Sequence, residues 1–394
     1  MPKFPTFFLA LIATLQTCNA ALYNVVDFGA KADGKTDSSS AFLGAWAAAC
    51  GSNEEPTVYV PPGTFLVNSI SFDGSCKMRM QLKISGVIVA PNDYKSFLSN
   101  QAWIEFKYVS GLSIGGGVID ARGSSYWACK RGRDQANCPF GARSFSFQSC
   151  NDVIISGLKS RNSHAVHVFI NGCNNITMQN LTIVAPGDSP NTDGIHIGNS
   201  NVVRVINSVI HTGDDCISIG PGSRNMSMEN IVCGPGHGIS IGSMGGNPNE
   251  DGVEHIVVNN SKFTNTDNGV RIKTWAKPSN AYARDIVFEN LVMEDVANPI
   301  IIDQEYCPEK NCPKGNSGVK VSDVVFNNIG GTSRSQEALA LICSLTKPCE
   351  EIKLQNINLS YMDQMRKKQL ATSRCQNARV IRDGVVIPDC KEGS

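Results

Sequence analysis

Three acidic residues and a histidine recur at a spacing that could support acid–base chemistry: Asp193, the adjacent pair Asp214 and Asp215, and His237. Each stands at or just before the start of a short apolar strand. The residue preceding successive strands reads His164, Asp193, Asp215, His237, Asn268, Asn298. A second column, two positions into the strands, reads His167, His196, Ser218, Ser240, Arg271, and Lys273 follows Arg271 at the same parity. If the strands stack in parallel, about 4.8 Å apart, each column becomes a ladder on one surface. Stacked like charges are costly, so such a ladder points to chemistry rather than to a solvated edge. Crowded carboxylates force at least one pKa upward, which sets an acid beside a base. Glycoside hydrolysis needs that pair: one protonated carboxyl for the leaving oxygen and one carboxylate to activate water. Arg271 and Lys273 add cations able to hold a substrate carboxylate. The residues thus point to a hydrolase acting on an acidic polysaccharide.

The elements that must position these residues are short strands at repeating intervals. The first type begins at Ala165, Gly194, Cys216, Gly238, Gly269 and Pro299; the second begins at Asp152, Asn175, Asn201, Asn225, Glu254, Arg284, Ser322 and Glu351. The gaps hold Asn, Gly, Pro and Asp, with no room for the amphipathic helices of a βαβ fold. Two or more strands per repeat without a helix is a β-solenoid pattern. The expected fold is all-β, a right-handed parallel β-helix forming a single unit over residues 21–394. Asn at the corners suits left-handed backbone angles. The segment Ser39-Ser-Ala-Phe-Leu-Gly-Ala-Trp-Ala-Ala-Ala-Cys50, after Asp37 and Ser38, reads as a short N-capped helix covering the open end of the core. The cysteine-rich segment beyond Cys343 is expected to protect the last coil.

Composition limits the partners. In 394 residues, Lys+Arg and Asp+Glu are both 35, so the basic excess of a nucleic-acid or membrane-surface protein is missing. Residues 1–20 carry Lys3, an apolar run over Phe7 to Leu15 and a small-residue end at Ala20, the pattern of a secretory signal peptide. No later stretch is apolar for long enough to span a bilayer. Beyond Cys18 there are 14 cysteines, an even number suited to disulfides in an exported protein. Close pairs are Cys216 with Cys233, Cys343 with Cys349, and Cys375 with Cys390. The N-x-S/T sites at Asn175, Asn180, Asn225, Asn259 and Asn358 are glycosylation candidates. Trp275 and Tyr306 are candidates either for stacking on sugar rings or for packing. The glycine-rich Gly236–Gly246 stretch lacks the strand-then-helix context of a dinucleotide site, and no G-x-S-x-G elbow is present.

Four motifs together resemble the polygalacturonases, glycoside hydrolase family 28: Ser189-Pro-Asn-Thr-Asp-Gly194, Gly213-Asp-Asp-Cys216, Gly236-His-Gly238 and Arg271-Ile-Lys273. The likeness extends from the Phe28-Gly-Ala region through Tyr306-Cys-Pro308 to the C-terminal cysteines. It implies inverting hydrolysis of α-1,4-galacturonosyl bonds of polygalacturonate without a metal or other cofactor. Asp214 would be the general acid, and Asp193 and Asp215 would activate the water. His237 would tune the acid or hold the cleft geometry. Arg271 and Lys273 would bind the galacturonate carboxylate, and Asn191 and Tyr306 would contact substrate. The resemblance also links Cys216 to Cys233. The Gly213–Gly222 and Ala185–Ser189 segments look most like plant pollen-type members, which are often exo-acting and include allergens. The implied protein is a secreted, cell-wall-acting monomer without nucleic-acid or membrane partners. The competing readings are an endo-acting polygalacturonase, a rhamnogalacturonan hydrolase, a calcium-dependent pectate lyase and a non-catalytic polysaccharide-binding protein.

Overall fold

The computed structural model describes residues 21–97, 101–132, 137–308, 311–312 and 315–390. The expected signal peptide, residues 1–20, lies outside these. The chain winds as a right-handed parallel β-helix. Each complete coil lays one strand on each of three parallel ladders, and from Val253 onward two of the ladders merge into long bent strands such as Val253–Thr264 and Tyr282–Val296. The third ladder has 11 strands, among them Arg143–Gln148, Val168–Asn171, Ile195–Gly198, Ile217–Ile219, Ile239–Met244 and Asn268–Trp275. The candidate catalytic side chains Asp193, Asp214, Asp215 and His237 stand in the turns that lead into its strands.

Alternation along each strand sends apolar residues inward, where they stack coil on coil. One interior file runs Val153, Ile176, Val203, Met226, Ile256, Ile286, Val324, Ile352, all buried. Each such side chain contributes about 1.5–3 kcal/mol by leaving water. The corner after this strand carries Asn in seven successive coils: Asn180, Asn207, Asn230, Asn260, Asn290, Asn328 and Asn356. All have φ between +50° and +56°. Asn is chosen there because its short polar side chain tolerates the left-handed region and bonds locally. Asn328 Nδ2 donates to Asn290 Oδ1 at 2.8 Å, and Asn230 Nδ2 to Asn207 Oδ1 at 2.9 Å.

Helix α1 (Ser39–Cys50) covers the first coil as expected, burying Ala41, Phe42, Ala45, Trp46 and Ala49. Trp46 lies 4.7 Å from Phe72 and 5.8 Å from Phe106, centroid to centroid. Its start is held by Asp37, whose Oδ1 accepts from the Ser39 amide at 3.0 Å, while the Ser38 side chain makes no capping bond to the helix. A second helix, α2 (Ser124–Arg131), is not legible in the repeat; it is part of an insertion between coils, stapled by the Cys129–Cys138 disulfide. No described helix is long and apolar enough to cross a membrane.

Three details depart from the sequence reading. His164 and His167 do not join the columns: the register pairs Phe169, not His167, with His196, and His167 stands beside Gly194 instead. The sequence reading is two residues off in that coil. A slip of two preserves inward–outward parity, so the apolar pattern cannot detect it. Both histidines are buried, and burial pushes His164 down to about 4 and His167 to about 3.

The even cysteine count also misleads. The expected disulfides Cys216–Cys233, Cys343–Cys349 and Cys375–Cys390 form, as do Cys50–Cys76, Cys129–Cys138 and Cys307–Cys312. Cys150 and Cys173 remain buried thiols on adjacent coils. The Cys150 amide donates to Cys173 Sγ at 3.3 Å. These two fill interior space as small apolar residues do.

The third correction concerns Cys349. The sequence reading places it in a segment that shields the last coil and starts the following strand at Glu351. Cys349 instead opens the strand itself, Cys349–Met362, and is wholly buried in the solenoid core. Its partner Cys343 directly follows the strand Glu337–Ile342, so the disulfide ties two consecutive ladders of one coil rather than a cap to a coil. The apolar signal starts late there because Glu350 and Glu351 interrupt it. Cys349 Sγ lies 3.4 Å from Gln304 Oε1, but an oxidised sulfur has no proton to donate, so this is a packing contact and not a hydrogen bond.

Of the glycosylation candidates, Asn175, Asn180, Asn225 and Asn358 are exposed and Asn259 is half-buried. Asn175, Asn225, Asn259 and Asn358 lie on ladder strands away from the catalytic sheet, and Asn180 lies at the corner between two of those strands.

Gly238 has φ +84°, and a Cβ there would collide with the carbonyl oxygens of Asn268 and Gly269 on the next coil. Gly238→Ala is expected to cost at least about 2 kcal/mol through strain and overpacking, read as a lowered midpoint in denaturant unfolding. An unchanged midpoint would mean that the coil contact is looser than described.

Candidate active site

The register confirms the remaining columns. Asp193 stands beside Asp215, Asp215 beside His237, and His237 beside Asn268, each one rung along. His196, Ser218, Ser240 and Arg271 form the second column. Asp214 joins the same corner from the turn before Asp215, which the Cys216–Cys233 disulfide anchors from beneath. The backbone makes this convergence possible at Gly213, where any Cβ would strike the Ser189 carbonyl of the preceding coil.

One device occurs twice. Ser218 Oγ donates to Asp193 Oδ2 at 2.7 Å, and His196 Nδ1 lies 2.8 Å from the same hydroxyl. Since the hydroxyl proton goes to Asp193, the oxygen accepts, and the His196 proton sits on Nδ1. Burial, then the nearby Arg143 charge, pushes His196 down to about 4, so this ring is neutral. One rung further, Ser240 Oγ donates to Asp215 Oδ1 at 2.8 Å and accepts from Arg271 Nε at 3.0 Å. A serine on each rung thus holds the aspartate of the rung before.

The three carboxylates differ sharply in surroundings. Asp215 is buried between two cations: Arg271 Nη2 donates to Oδ1 at 2.9 Å and Lys273 Nζ to Oδ2 at 2.7 Å. Arg271 and Lys273, expected to wait for a substrate carboxylate, are already engaged by Asp215. Asp214 Oδ1 lies 2.9 Å from His237 Nδ1 and accepts from the Asp215 amide at 2.7 Å. Desolvation opposes its charge, but the His237 bond and charge and the Asp215 amide outweigh it and leave its pKa below the usual value. His237 is raised in return, first by its bond to Asp214 and then by the charges of Asp214, Asp215 and Asp267. Asp193 is the opposite case: burial, then the charges of Asp214 and Asp215, lift it well above the carboxylate range. The corner thus sets its groups against one another: Asp193 is pushed toward its neutral form, while Asp214 and His237 each favour the charged form that pairs with the other.

Asp214, Asp215 and His237 present ligand atoms within 4.8 Å of one another. A cation there would have to compete with Arg271 and Lys273 for both oxygens of Asp215. The donor set suits internal ion pairing better than metal capture.

Asn191 is exposed on the turn leading to Asp193, with φ +56°. Together with Asp193 it lines a cavity of about 420 Å³ that reaches Lys130 and Arg143. Tyr306 packs edge-on against Trp275 at 5.2 Å, and Lys273 Nζ lies 5.4 Å from its ring centre. Trp275 is thus committed to Tyr306, and Tyr306 borders the Arg271/Lys273 side. Two groups escaped the sequence reading. Asp267 Oδ2 lies 3.5 Å from His237 Nε2, and Arg334 Nη2 donates to Asp267 Oδ1 at 2.7 Å. Asp267 was findable, because it precedes the column residue Asn268 as Asp214 precedes Asp215. Arg334 comes from two coils further on and had no such signal.

A parallel β-helix that gathers carboxylates, a histidine and paired cations on one sheet is equipped to hydrolyse glycosidic bonds. Residues 50–382 match the glycosyl hydrolases family 28, and the chain belongs to that family. A polygalacturonase of Prunus persica is 47% identical over 368 residues, covering 93% of this chain and 92% of the relative. An exopolygalacturonase of Platanus acerifolia is 41% identical over 376 residues, covering 95% and 98%. The solved endo-xylogalacturonan hydrolase of Aspergillus tubingensis shares the fold, with a TM-score of 0.78 at 23% identity over 92% of this chain and 100% of that one.

His237 is raised by pairing, so its contribution to stability is fully present below its unfolded pKa of about 6.5 and fades as pH rises through the raised value. His237→Gln should therefore lower the thermal midpoint more at pH 6 than at pH 9. An equal loss at both would mean that the ion pair does not form. Asp267→Asn should move the His237 titration, followed by NMR, toward lower pH, because it removes one of the charges that raise it.

Proposed function

We propose that this protein is a secreted polygalacturonase that hydrolyses α-1,4-galacturonosyl bonds of polygalacturonate with inversion, working from chain ends in the plant cell wall. The observation that carries the reading is the crowding of Asp193, Asp214 and Asp215 on one corner of the sheet, with Arg271 and Lys273 closing on Asp215 and His237 on Asp214. The relatives named polygalacturonase across nearly the full chain support the substrate. Six disulfides support an oxidising compartment. One catalytic unit over residues 21–394, following a leader of residues 1–20, fits both.

In this mechanism a substrate chain lies along the exposed sheet with the scissile bond over Asp193, Asp214 and Asp215. Asp214 is the general acid. His237 returns its Nδ1 proton to Asp214 Oδ1, and the carboxyl passes it to the glycosidic oxygen as the bond to the anomeric carbon breaks. Water attacks that carbon from the opposite face, and its proton goes to the carboxylate of Asp193 or Asp215. Arg271 and Lys273 pair with the two oxygens of Asp215 and carry one positive charge more than its carboxylate offsets. That surplus attracts a galacturonate carboxylate on the Tyr306 side.

A second assignment is favoured by one observation. Asp193, not Asp214, is the carboxyl whose pKa is pushed up, by burial and then by the charges of Asp214 and Asp215. With Asp193 as acid, the Asp214–His237 pair becomes the electrostatic partner of the water.

Asp214→Asn should lower kcat on polygalacturonate at least about 100-fold, the usual worth of a positioned acid. On an aryl galacturonide, whose leaving group needs no protonation, the same variant should lose little. If Asp193→Asn alone shows that rescue, the acid is Asp193. Product analysis on polygalacturonate in the presence of chelator should give steady monomer release with slow viscosity loss. Early mixed oligomers would make the enzyme endo-acting, and total loss of activity in chelator would revive the calcium-dependent lyase.

A further inference from the structure

The cations beside the catalytic corner are not equally available. Arg271 and Lys273 are tied to Asp215. Arg143 is not tied. It opens the strand Arg143–Gln148, two rungs before His196, and its Cζ lies 3.6 Å over the Phe169 ring. Phe169 in turn stacks on His196, with centroids 5.3 Å apart and planes 5° from parallel. Guanidinium, phenyl and imidazole thus form one continuous pile on the catalytic sheet, which fixes the guanidinium without using up its N–H donors. Among the described residues no carboxylate reaches ion-pair distance of Arg143. Glu105, the acid whose charge acts on it, pairs with Lys107 at 2.9 Å. Arg143 is half-buried, and a half-buried guanidinium without an anionic partner is a prepared anion receptor.

The cavity it borders reinforces this. The space of about 420 Å³ is lined by Arg143, Lys130, Phe140, Asn191, Gln101 and Asp193. Lys130, on α2, contributes a second cation with no carboxylate partner within reach among the described residues; its Nζ lies 5.9 Å from the Tyr126 ring centre. Phe140 is 83% exposed, so its ring face is open to the apolar side of a sugar. Arg143 and Gln101 also border a separate polar cavity of about 320 Å³ over the first coils, so they stand between the two spaces.

We propose that Arg143, held on Phe169 and assisted by Lys130, is a second uronate-binding position: it takes the carboxylate of the sugar on the Asp193 side of the scissile bond, opposite the sugar at Arg271 and Lys273. This rests on the polygalacturonase reading and adds a specificity determinant to it. Acid recognition is then two-sided. The side that binds by free cations is the insertion side, where α2 and Phe140 overhang the cleft, and not the side where the cations already hold an aspartate.

The test uses trigalacturonate and its two isomers that carry a single methyl ester on one or the other terminal ring. Arg143→Gln should lower kcat/KM on trigalacturonate about tenfold to a hundredfold, mainly through KM, the range for losing a charge-assisted bond. The wild type should lose a similar factor on one of the two esters, and Arg143→Gln should lose little more on that same ester. Arg143→Lys, which keeps the charge, should recover part of the loss. If both esters cost Arg143→Gln as much as they cost the wild type, Arg143 does not contact a carboxylate and the inference is overturned. Lys130→Gln, measured the same way, carries the test should Arg143→Gln fail to fold. A wild type inert toward trigalacturonate would instead sink the polygalacturonase reading, and this inference with it.

Discussion

The buried triad of Asp215 with Arg271 and Lys273 is the interaction on which the rest of the site depends. Parallel stacking puts Asp193, Asp215 and the neighbouring Asp214 within a rung or two of one another, and three ionised carboxylates cannot share that space unopposed. Two cations from one strand further along, Arg271 and Lys273, close on both oxygens of Asp215. The Asp215 charge is among those that raise the pKa of Asp193 and of His237. A buried ion pair is seldom a net source of stability. Here its consequence is to sort the protons among its neighbours.

The solenoid explains why so exact an arrangement can rest on short strands. Every coil repeats the same register, so a residue is placed by its rung and its parity and not by a long loop. Ser218 and Ser240 show the economy of this. Each occupies the same column one rung apart, and each donates to an aspartate on the preceding rung. The interior files of Ile, Val and Phe keep the rungs from shifting, and the left-handed Asn corners turn the chain at the same place in each coil. Close approach concentrates where the corner meets the site, at Gly213 and Gly238, where only a glycine lets adjacent coils meet.

The cleft itself comes from departures from the repeat. The segment carrying α2 and the Cys129–Cys138 staple is an insertion between coils, and it supplies Lys130 and Phe140 to the cavity beside Asp193. On the opposite side, Tyr306 and Trp275 pack together at the ends of two strands. A regular solenoid offers a flat sheet; these additions give it sides and make its two ends unequal.

The sequence by itself determined the solenoid, the capping helix over Ser39–Cys50 and the convergence of Asp193, Asp214, Asp215, His237, Arg271 and Lys273. It also offered Cys216–Cys233, Cys343–Cys349 and Cys375–Cys390 as close pairs, and the folded chain joins all three. These are consequences of period-two alternation, a recurring interval and short separations, which a linear reading can count. What it could not determine was any relation that parity leaves unchanged or that crosses the repeat. His164 and His167 were misplaced because a two-residue slip keeps every apolar residue inward. Cys349 paired as expected yet lies in the core and not in a cap, because burial depends on which ladder the strand joins. Cys150 and Cys173 stay unpaired because local geometry, not an even count, decides which thiols meet. The engagement of Arg271 and Lys273 by Asp215, the reach of Arg334 to Asp267 and the pile of Arg143 on Phe169 all join residues from different coils at distances only the folded chain sets. Residue types limit what chemistry is possible; which charges are neutralised and which stay open is decided in three dimensions, because electrostatic partners are chosen by distance and burial.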